Sequence, residues 1–460
     1  MFDPVAFISE YARFPSVSTD PAYADGMRGA REYAAAQLRA LGFAVEEIAT
    51  PLHPVLLATF NASRTDLPHL VFYGHYDVQP ANPDSPDEDW TRPPFEPYVD
   101  GERLFARGAA DNKGPQGVQF AALARVLAET PELPLRLTFL IEGEEEMGSP
   151  SMPGFLEKYA ERLMGDAILV SDTGSPSPEQ IVITTALRGI ISLQATLIGP
   201  RVDLHSGVHG GGVCNPLAGL ARLCASLHND DGTVNVPGFY DGVLPPAEWE
   251  RAELTRYPTT EAAYREFLGV DALRREGDYG PLECVRFRPT LEFNGMGGGY
   301  QGEGSKTVLP SRAFVKITCR TVPNQDVYAV REAVVKALQD RVEPGFRIEV
   351  KRGEGGDASL VIPPGRPNTP TDQSPVVAQA FEAADAAIKE HFGSAPLYLR
   401  EGGSVPIIGQ LKKATGMDSL MIGLFTPADN LHAPNESFHL GIMRNAIDTY
   451  AAILRKLAAA

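Results

Sequence analysis

The sequence predicts an α/β domain with a mainly parallel sheet, interrupted by an inserted α+β lid and dimerisation domain. Three observations predict it. Short apolar strands alternate with helical patterns through residue 170. From about 188 the texture changes to longer strands in strand-helix-strand fragments. Strand-helix alternation resumes after residue 371. Residues 1–187 and 371–460 then form one domain and 188–370 the insertion. A chain of 460 residues is in any case too long for one ordinary core.

In order, helical patterns cover 4–13 and 26–41, the second rich in Ala and stopped by Gly42. Strands follow at 43–48, 54–60 and 69–73. A polar, proline-rich loop spans 79–101, and its acidic run from Asp84 to Asp89 reads as solvated. A helix runs from Gly114 to about Ala128, then a strand at 135–141, a helix at 152–162 and a strand at 167–170. The insertion opens with a long strand, 189–198, a glycine-rich loop at 207–212 and a helix at 215–228. Residues 229–300 read as irregular, being rich in Pro, Gly and charge. Strand 312–321, helix 325–341 and strand 346–352 complete the insertion. Helix 374–391, strand 419–425 and helix 438–457 close the chain.

Composition excludes several functions. A net charge of −18 argues against nucleic-acid partners and against docking on anionic membranes. No apolar run approaches the ~18 residues of a membrane span. The start, Met1-Phe2-Asp3-Pro4, lacks the features of a secretory signal. The four cysteines lie far apart without a Cys-x-x-Cys pair, as expected of reduced thiols in a cytoplasmic protein. Residues 297–302 match G-x-G-x-x-G but open no helix, so a nucleotide-binding reading fails on context.

The chemistry is concentrated where strands end. The apolar run Leu137–Ile141 delivers Glu142, Glu144, Glu145 and Glu146 within five positions. Carboxylates at that density repel one another and lose solvation if buried, which water or a polyvalent cation must offset. Strand 69–73 ends in Gly74-His75-Tyr76-Asp77-Val78. Ligands of open α/β sheets bind beyond such ends. Asp77 is placed to accept a hydrogen bond from the free ring nitrogen of a metal-bound His75. Alone, the pair reads equally as a surface histidine beside a capping aspartate.

Asp111, in Arg107-Gly108-Ala109-Ala110-Asp111-Asn112-Lys113-Gly114, is either a helix N-cap or a carboxylate bridging two cations. Asp172 follows strand 167–170, and His432 lies in a loop before the last helix. This mixed His/Asp/Glu set suits Zn²⁺, Mn²⁺ or Co²⁺ rather than a thiolate-rich structural site. Two such cations bridged by a carboxylate and a water would activate that water as hydroxide.

Five motifs occur in order: GHYDV at 74–78, ARGAADNKG at 106–114, EGEEEMGS at 142–149, SDTG at 171–174 and NLHAPNE at 430–436. In this order and spacing the chain resembles the dinuclear zinc metallopeptidase family of carnosinase, cytosolic non-specific dipeptidase, aminoacylase, acetylornithine deacetylase and succinyl-diaminopimelate desuccinylase. The resemblance implies two divalent ions per subunit, Zn²⁺ foremost. It implies His75 and Asp172 on one ion, Glu146 and His432 on the other, and Asp111 between them. It implies Glu145 as general base, with Glu142 and Glu144 left as supporting or solvated residues.

The insertion extends the resemblance. DLHSGV at 203–208 is similar to the family loop whose histidine, here His205, acts across a homodimer interface on the substrate carbonyl. His209 reads as a surface residue. KTVLP at 306–310, with Thr307, resembles a substrate-holding segment, and Arg320 is matched to a residue that receives a carboxylate. REGGSVP at 400–406, with Gly403 and Ser404, resembles the substrate-side loop of the dipeptidase branch, with backbone N–H groups free for an anion. Asp rather than Glu at 172 likewise implies dipeptidases. The expected activity is hydrolysis of dipeptides. Two other readings stand beside it: an N-acyl amino acid deacylase on the same scaffold, and a metal-dependent binding protein without catalysis.

Overall fold

A computed structural model describes residues 2–83, 85 and 88–459. Asp84 and Asp87 of the acidic loop expected to be solvated lie outside the described residues. Among those residues no helix is long and apolar enough to cross a membrane.

The large sheet is mixed, with a parallel centre. Strands Arg136–Glu142, His69–His75, Ala167–Val170 and Asp418–Ile422 run parallel side by side. Antiparallel strands Val55–Phe60 and Ala44–Ile48 flank one edge, and Val182–Leu187 the other. His69–His75 is buried at every position, so both faces of the sheet are covered, and its sequence is a continuous apolar run rather than an alternating one. Phe72 and Phe139 stack across the central pair with ring centroids 4.6 Å apart, and Phe120 of helix Gly114–Glu129 meets Phe139 edge-on at 5.2 Å. Such pairs contribute about 0.5–1.5 kcal/mol each beyond burial. They lock the helix that follows Asp111 onto the strand that precedes the glutamates. Helices Pro4–Ala12, Gly114–Glu129, Leu440–Ala458 and Pro375–Phe392 pack side by side, while Pro406–Thr415 packs on Met152–Leu163.

A second sheet of four antiparallel strands has the order Thr290–Gly298, Arg312–Thr321, Gly189–Ile198, Arg347–Gly356. Gly189–Ile198 alternates buried and half-buried along its length, the signature of one covered face. Helices Pro216–Ala225 and Val327–Asp340 cover that face, and the core they form is separate from that of the large sheet. The chain rejoins the large sheet before residue 370, where Ser359–Leu360 pairs with Val182–Leu187.

Several elements depart from the sequence reading. Residues 229–300 are irregular only in part, at 229–247 and in the links between four short elements. They form helices Glu248–Thr255, Glu261–Leu268 and Pro281–Phe287, then strand Thr290–Gly298. The helices have only seven or eight residues, about two turns, too short a window for an apolar period to stand out against their charged residues. The strand carries three glycines, which sequence propensity assigns to loops. Strands Val182–Leu187 and Leu397–Arg400 and helix Pro406–Thr415 are further elements beyond those the sequence predicts. The glycine-rich loop contains a short helical turn, Ser206–His209.

Candidate metal centre

The carboxyl ends of the parallel strands build the site. His75 ends its strand directly beside Glu142 of the neighbouring one, and Asp172 lies two residues past Val170. The turn carrying Asp111 is held by two glycines. Gly108 has φ +84°, in the left-handed region, and at Gly114 a Cβ would lie 2.1 Å from the Ala109 carbonyl oxygen. The Asp111–Asn112 peptide is cis. Asn430, His432 and Asn435 all adopt positive φ, so the His432 loop is tightly folded. A small sheet of Tyr98–Asp100, Arg103–Phe105 and Ser437–His439 brings that loop against the Asp111 turn.

Asp111 sits at the centre. Its Oδ1 lies 3.1 Å from His75 Nε2 and its Oδ2 2.9 Å from His432 Nε2. Asp172 Oδ2 is 3.8 Å from His75 Nε2, and Glu146 Oε2 is 3.5 Å from His432 Nε2. Two donor groups result, His75–Asp111–Asp172 and Asp111–Glu146–His432, each with ligand atoms within 4.8 Å of one another. They share Asp111. Glu145 lines the adjoining cavity of about 250 Å³ with Asp111, Asp172, Gly403, Ser404 and His432. Among the described residues the Glu145 carboxylate has no hydrogen-bond or ion-pair partner.

The electrostatics show what this cluster lacks. Burial, reinforced by Asp111, raises the Asp172 carboxyl to about 6. Burial pushes Glu145 and Glu146 well above the usual carboxylate range, with nearby carboxylates adding to it and His75 opposing. Burial also acts to raise Asp111, but hydrogen bonds from His432 and His75 outweigh it and hold the group low. Burial disfavours a charged His75, yet its hydrogen bonds to Asp111 and Asp77 carry it above the usual imidazole range. Among the described residues no Lys or Arg pairs with these four carboxylates. The two imidazoles are the basic side chains at the cluster, and each faces one oxygen of Asp111. A borderline N/O donor set, crowded anions and a shared carboxylate fit two divalent ions of the Zn²⁺ type.

Second-rank contacts orient the donors. His75 Nδ1 is 3.1 Å from the Asp77 main-chain oxygen and 3.3 Å from its carboxylate Oδ1. Asp77 faces His75, but its main-chain oxygen takes the hydrogen bond expected of the carboxylate, whose Oδ1 has no hydrogen-bond partner among the described residues. Asp77 Oδ2 also accepts from Ser18 Oγ at 2.7 Å and from the Glu146 N–H at 3.0 Å. Gln79 donates to both Glu146 oxygens, at 3.1 Å from N and 2.7 Å from Nε2. Asn112 Nδ2 donates to Asp172 Oδ1 at 3.0 Å and so leaves Oδ2 facing His75. Ser18, Gln79 and Asn112 were not singled out from the sequence. Gln79 adjoins the motif at 74–78 and Asn112 lies within that at 106–114, but Ser18 carries no sequence signal.

The remaining glutamates are not solvated. Glu142 is 1% exposed and accepts from Tyr73 Oη at 2.9 Å. Burial, with Asp77 adding to it, raises its carboxyl to about 8. Glu144 is 2% exposed and accepts from the N–H groups of His53 and Ser151 and from Thr50 Oγ1. It pins the 50–53 loop to the glutamate turn.

The insertion brings some predicted residues to the site and leaves others apart. Arg320 Nη1 donates to Ser404 Oγ at 2.6 Å, across 84 residues of sequence, at the edge of the cavity. Arg188, which had no assigned role, donates from Nε to the Gly402 carbonyl and from its N–H to that of Gly403, holding this loop. The Gly402 and Gly403 N–H groups are not free for an anion. Glu401 Oε1 already accepts from them at 2.7 and 3.4 Å, because its side chain folds back over its own turn. His205, on a strand Leu204–His205 paired with Val308–Leu309, and Thr307, just before that partner strand, are both exposed, and neither lines the cavity with Asp111. The Gly207 N–H donates to His205 Nδ1 at 3.0 Å, which leaves Nε2 to carry the ring proton.

Comparison with known proteins agrees with this architecture. The model of peptidase family M20/M25/M40 matches residues 71–456. The chain is 27% identical to the Cys-Gly metallodipeptidase dug1 of Schizosaccharomyces pombe, over 99% of this chain and 95% of that protein. It is 31% identical to the Beta-Ala-His dipeptidase of Homo sapiens, over 89% of this chain and 78% of that protein. The solved structure of the M20 family metallo-carboxypeptidase Sso-CP2 from Sulfolobus solfataricus superposes with a TM-score of 0.86 at 28% identity, over the full length of both chains. The chain belongs to peptidase family M20/M25/M40.

Proposed function

We propose that this protein hydrolyses the peptide bond of dipeptides with two divalent ions, Zn²⁺ foremost. The observation that carries it is Asp111, with one carboxylate oxygen toward each of two histidines, beside an unpartnered glutamate facing a small cavity. His75, Asp111 and Asp172 would hold one ion, and Asp111, Glu146 and His432 the other. When bound, such ions polarise a carbonyl and lower the pKa of water.

The chain's own residues supply the rest. Glu145 takes a proton from the attacking water and passes it to the departing amine, which its place at the cavity and its free carboxylate permit. Asp77 orients His75, and Gln79 and Asn112 orient Glu146 and Asp172. Arg320, steadied by Ser404, receives the free carboxylate of the substrate, with Gly403 shaping the approach. His205 donates from Nε2 to the carbonyl oxygen of a substrate bound in the partner subunit, with Thr307 beside it. Its distance from this chain's own cavity supports action across a homodimer. So do the unpaired edge strand Thr290–Gly298 and the exposed Val208, Phe293, Met296 and Tyr300. Residues 188–370 form the lid in this proposal, with the return to the catalytic layer at Ser359. A cytoplasmic location belongs to the same reading and agrees with four unpaired cysteines.

The resemblance to a metallo-carboxypeptidase favours one competing reading, removal of a C-terminal residue from N-blocked or longer substrates. Zinc-loaded protein should be assayed on free dipeptides, N-acetyl amino acids and N-blocked dipeptides. Preference for free dipeptides is expected. Hydrolysis of N-acyl substrates alone would refute the dipeptidase reading.

A further inference from the structure

Glu436 is 0% exposed and touches both ligand-bearing loops. Its Oε2 accepts from Arg107 Nη1 at 2.8 Å and from the Gly108 N–H at 3.0 Å. Its Oε1 accepts from the N–H groups of Ala110 at 2.9 Å and Asp111 at 3.1 Å. Its main-chain carbonyl accepts from the Ala106 N–H at 3.0 Å. One residue therefore closes the concave face of the whole 106–111 turn. Successive N–H groups curled around an anion make a rigid cradle, and the last of them belongs to Asp111, the carboxylate shared by both donor groups.

Glu436 also ends the loop of His432. That loop holds three non-glycine residues at positive φ, a conformation that persists only when its surroundings impose it. Asn435 and Glu436 pin the end of the loop, Asn435 through hydrogen bonds with Thr91 and Asp89 and Glu436 against the Asp111 turn. The 2.9 Å approach of His432 Nε2 to Asp111 Oδ2 spans these two segments.

We propose that Glu436 is a positioning residue of the metal centre. It sets the backbone of Asp111, anchors the His432 loop, and so fixes the spacing of the donors that hold the second cation. This rests on the metal-site reading above. A carboxylate that served only the fold would alter the melting of the metal-free protein and leave the zinc affinity of the folded protein unchanged.

The test is Zn²⁺ titration of the full chain against a chromophoric chelator, with melting of the metal-free protein measured in parallel. Glu436→Gln keeps the volume but turns an amide N–H₂ toward N–H donors. It should weaken at least one of two Zn²⁺ sites by about tenfold to a hundredfold, and Glu436→Asp, which keeps the charge, should recover part of the loss. Folded Glu436→Gln with the parent's zinc stoichiometry and affinity would overturn the proposal. If that variant does not fold, the same criterion is applied to Glu436→Asp. If neither folds while the metal-free parent does, Glu436 belongs to the fold and the proposal is wrong. Asp111→Asn separates the two readings. If it too leaves zinc binding unchanged, the metal site itself is misassigned. If it loses zinc and the Glu436 variants do not, only the role of Glu436 fails.

Discussion

Replacing Glu145 by Gln isolates one function from the rest of the centre. The side chain keeps its size and loses its basicity. It belongs to neither donor group, and its carboxylate has no hydrogen-bond or ion-pair partner among the described residues, so the change removes no contact. It also removes one of several mutually repelling buried carboxylates. Melting temperature should therefore hold or rise slightly, and both cations should remain. A positioned general base is worth about 10²–10⁴-fold, which at 1.36 kcal/mol per tenfold is about 3–5 kcal/mol of barrier. The assay is kcat on a free dipeptide with saturating Zn²⁺, with metal content determined on the same sample. Turnover within about threefold of the parent with two ions bound would remove Glu145 from the mechanism. Lost turnover with lost metal would make it a ligand instead.

Three further outcomes follow from the geometry. Arg320→Met removes the charged donor proposed to receive the substrate carboxylate, a contact of a kind worth about 1.5–3 kcal/mol. It should raise KM about tenfold or more, and C-amidated dipeptides should already be poor substrates of the parent. Equal rates on amidated and free dipeptides would dismiss this role. Arg400 and Glu250 form a buried bidentate pair, at 2.6 and 2.9 Å, between strand Leu397–Arg400 and helix Glu248–Thr255. Arg400→Met strands the buried Glu250 and should cost about 3–5 kcal/mol in urea unfolding, most of it recovered by adding Glu250→Met. A double variant as unstable as the single one contradicts the account.

His69 supplies a pH test away from the metals. Its Nδ1 lies 2.8 Å from the Met164 carbonyl and its Nε2 2.8 Å from Thr138 Oγ1, and burial lowers its pKa below the unfolded value. The folded state then binds the proton less readily than the unfolded one. The stability this contributes is fully present above the unfolded pKa of about 6.5. It is lost as pH falls from there toward the folded pKa. His69→Gln should lose less melting temperature between neutral and mildly acidic pH than the parent does. A steeper loss in the variant would reverse the sign and sink the argument.

The chain's own order of residues determined the alternation of strands and helices at both ends, the change of texture near 188 and the five short motifs. These signals are local: apolar period, capping residues and glycine at tight turns act within a few positions. Local pattern also marked His75, Asp111, Asp172 and His432, because each follows a strand or opens a helix. It was silent on the short charged helices of 229–287, whose stability comes from partners such as Arg400 rather than from their own periodicity. The division of labour among the glutamates was likewise a matter of register. Glu142 and Glu144, which the resemblance left as supporting or solvated residues, are buried as a Tyr73 partner and a loop staple. Glu401 occupies the N–H groups that its loop seemed to offer to an anion. The resemblance put Asp111 between the two donor pairs, but only tertiary structure decided that each of its oxygens faces one histidine and that one carboxylate, Glu436, holds its turn. The reason is physical. Contacts across more than three hundred residues are made by strand order and helix packing, which no local sequence pattern records.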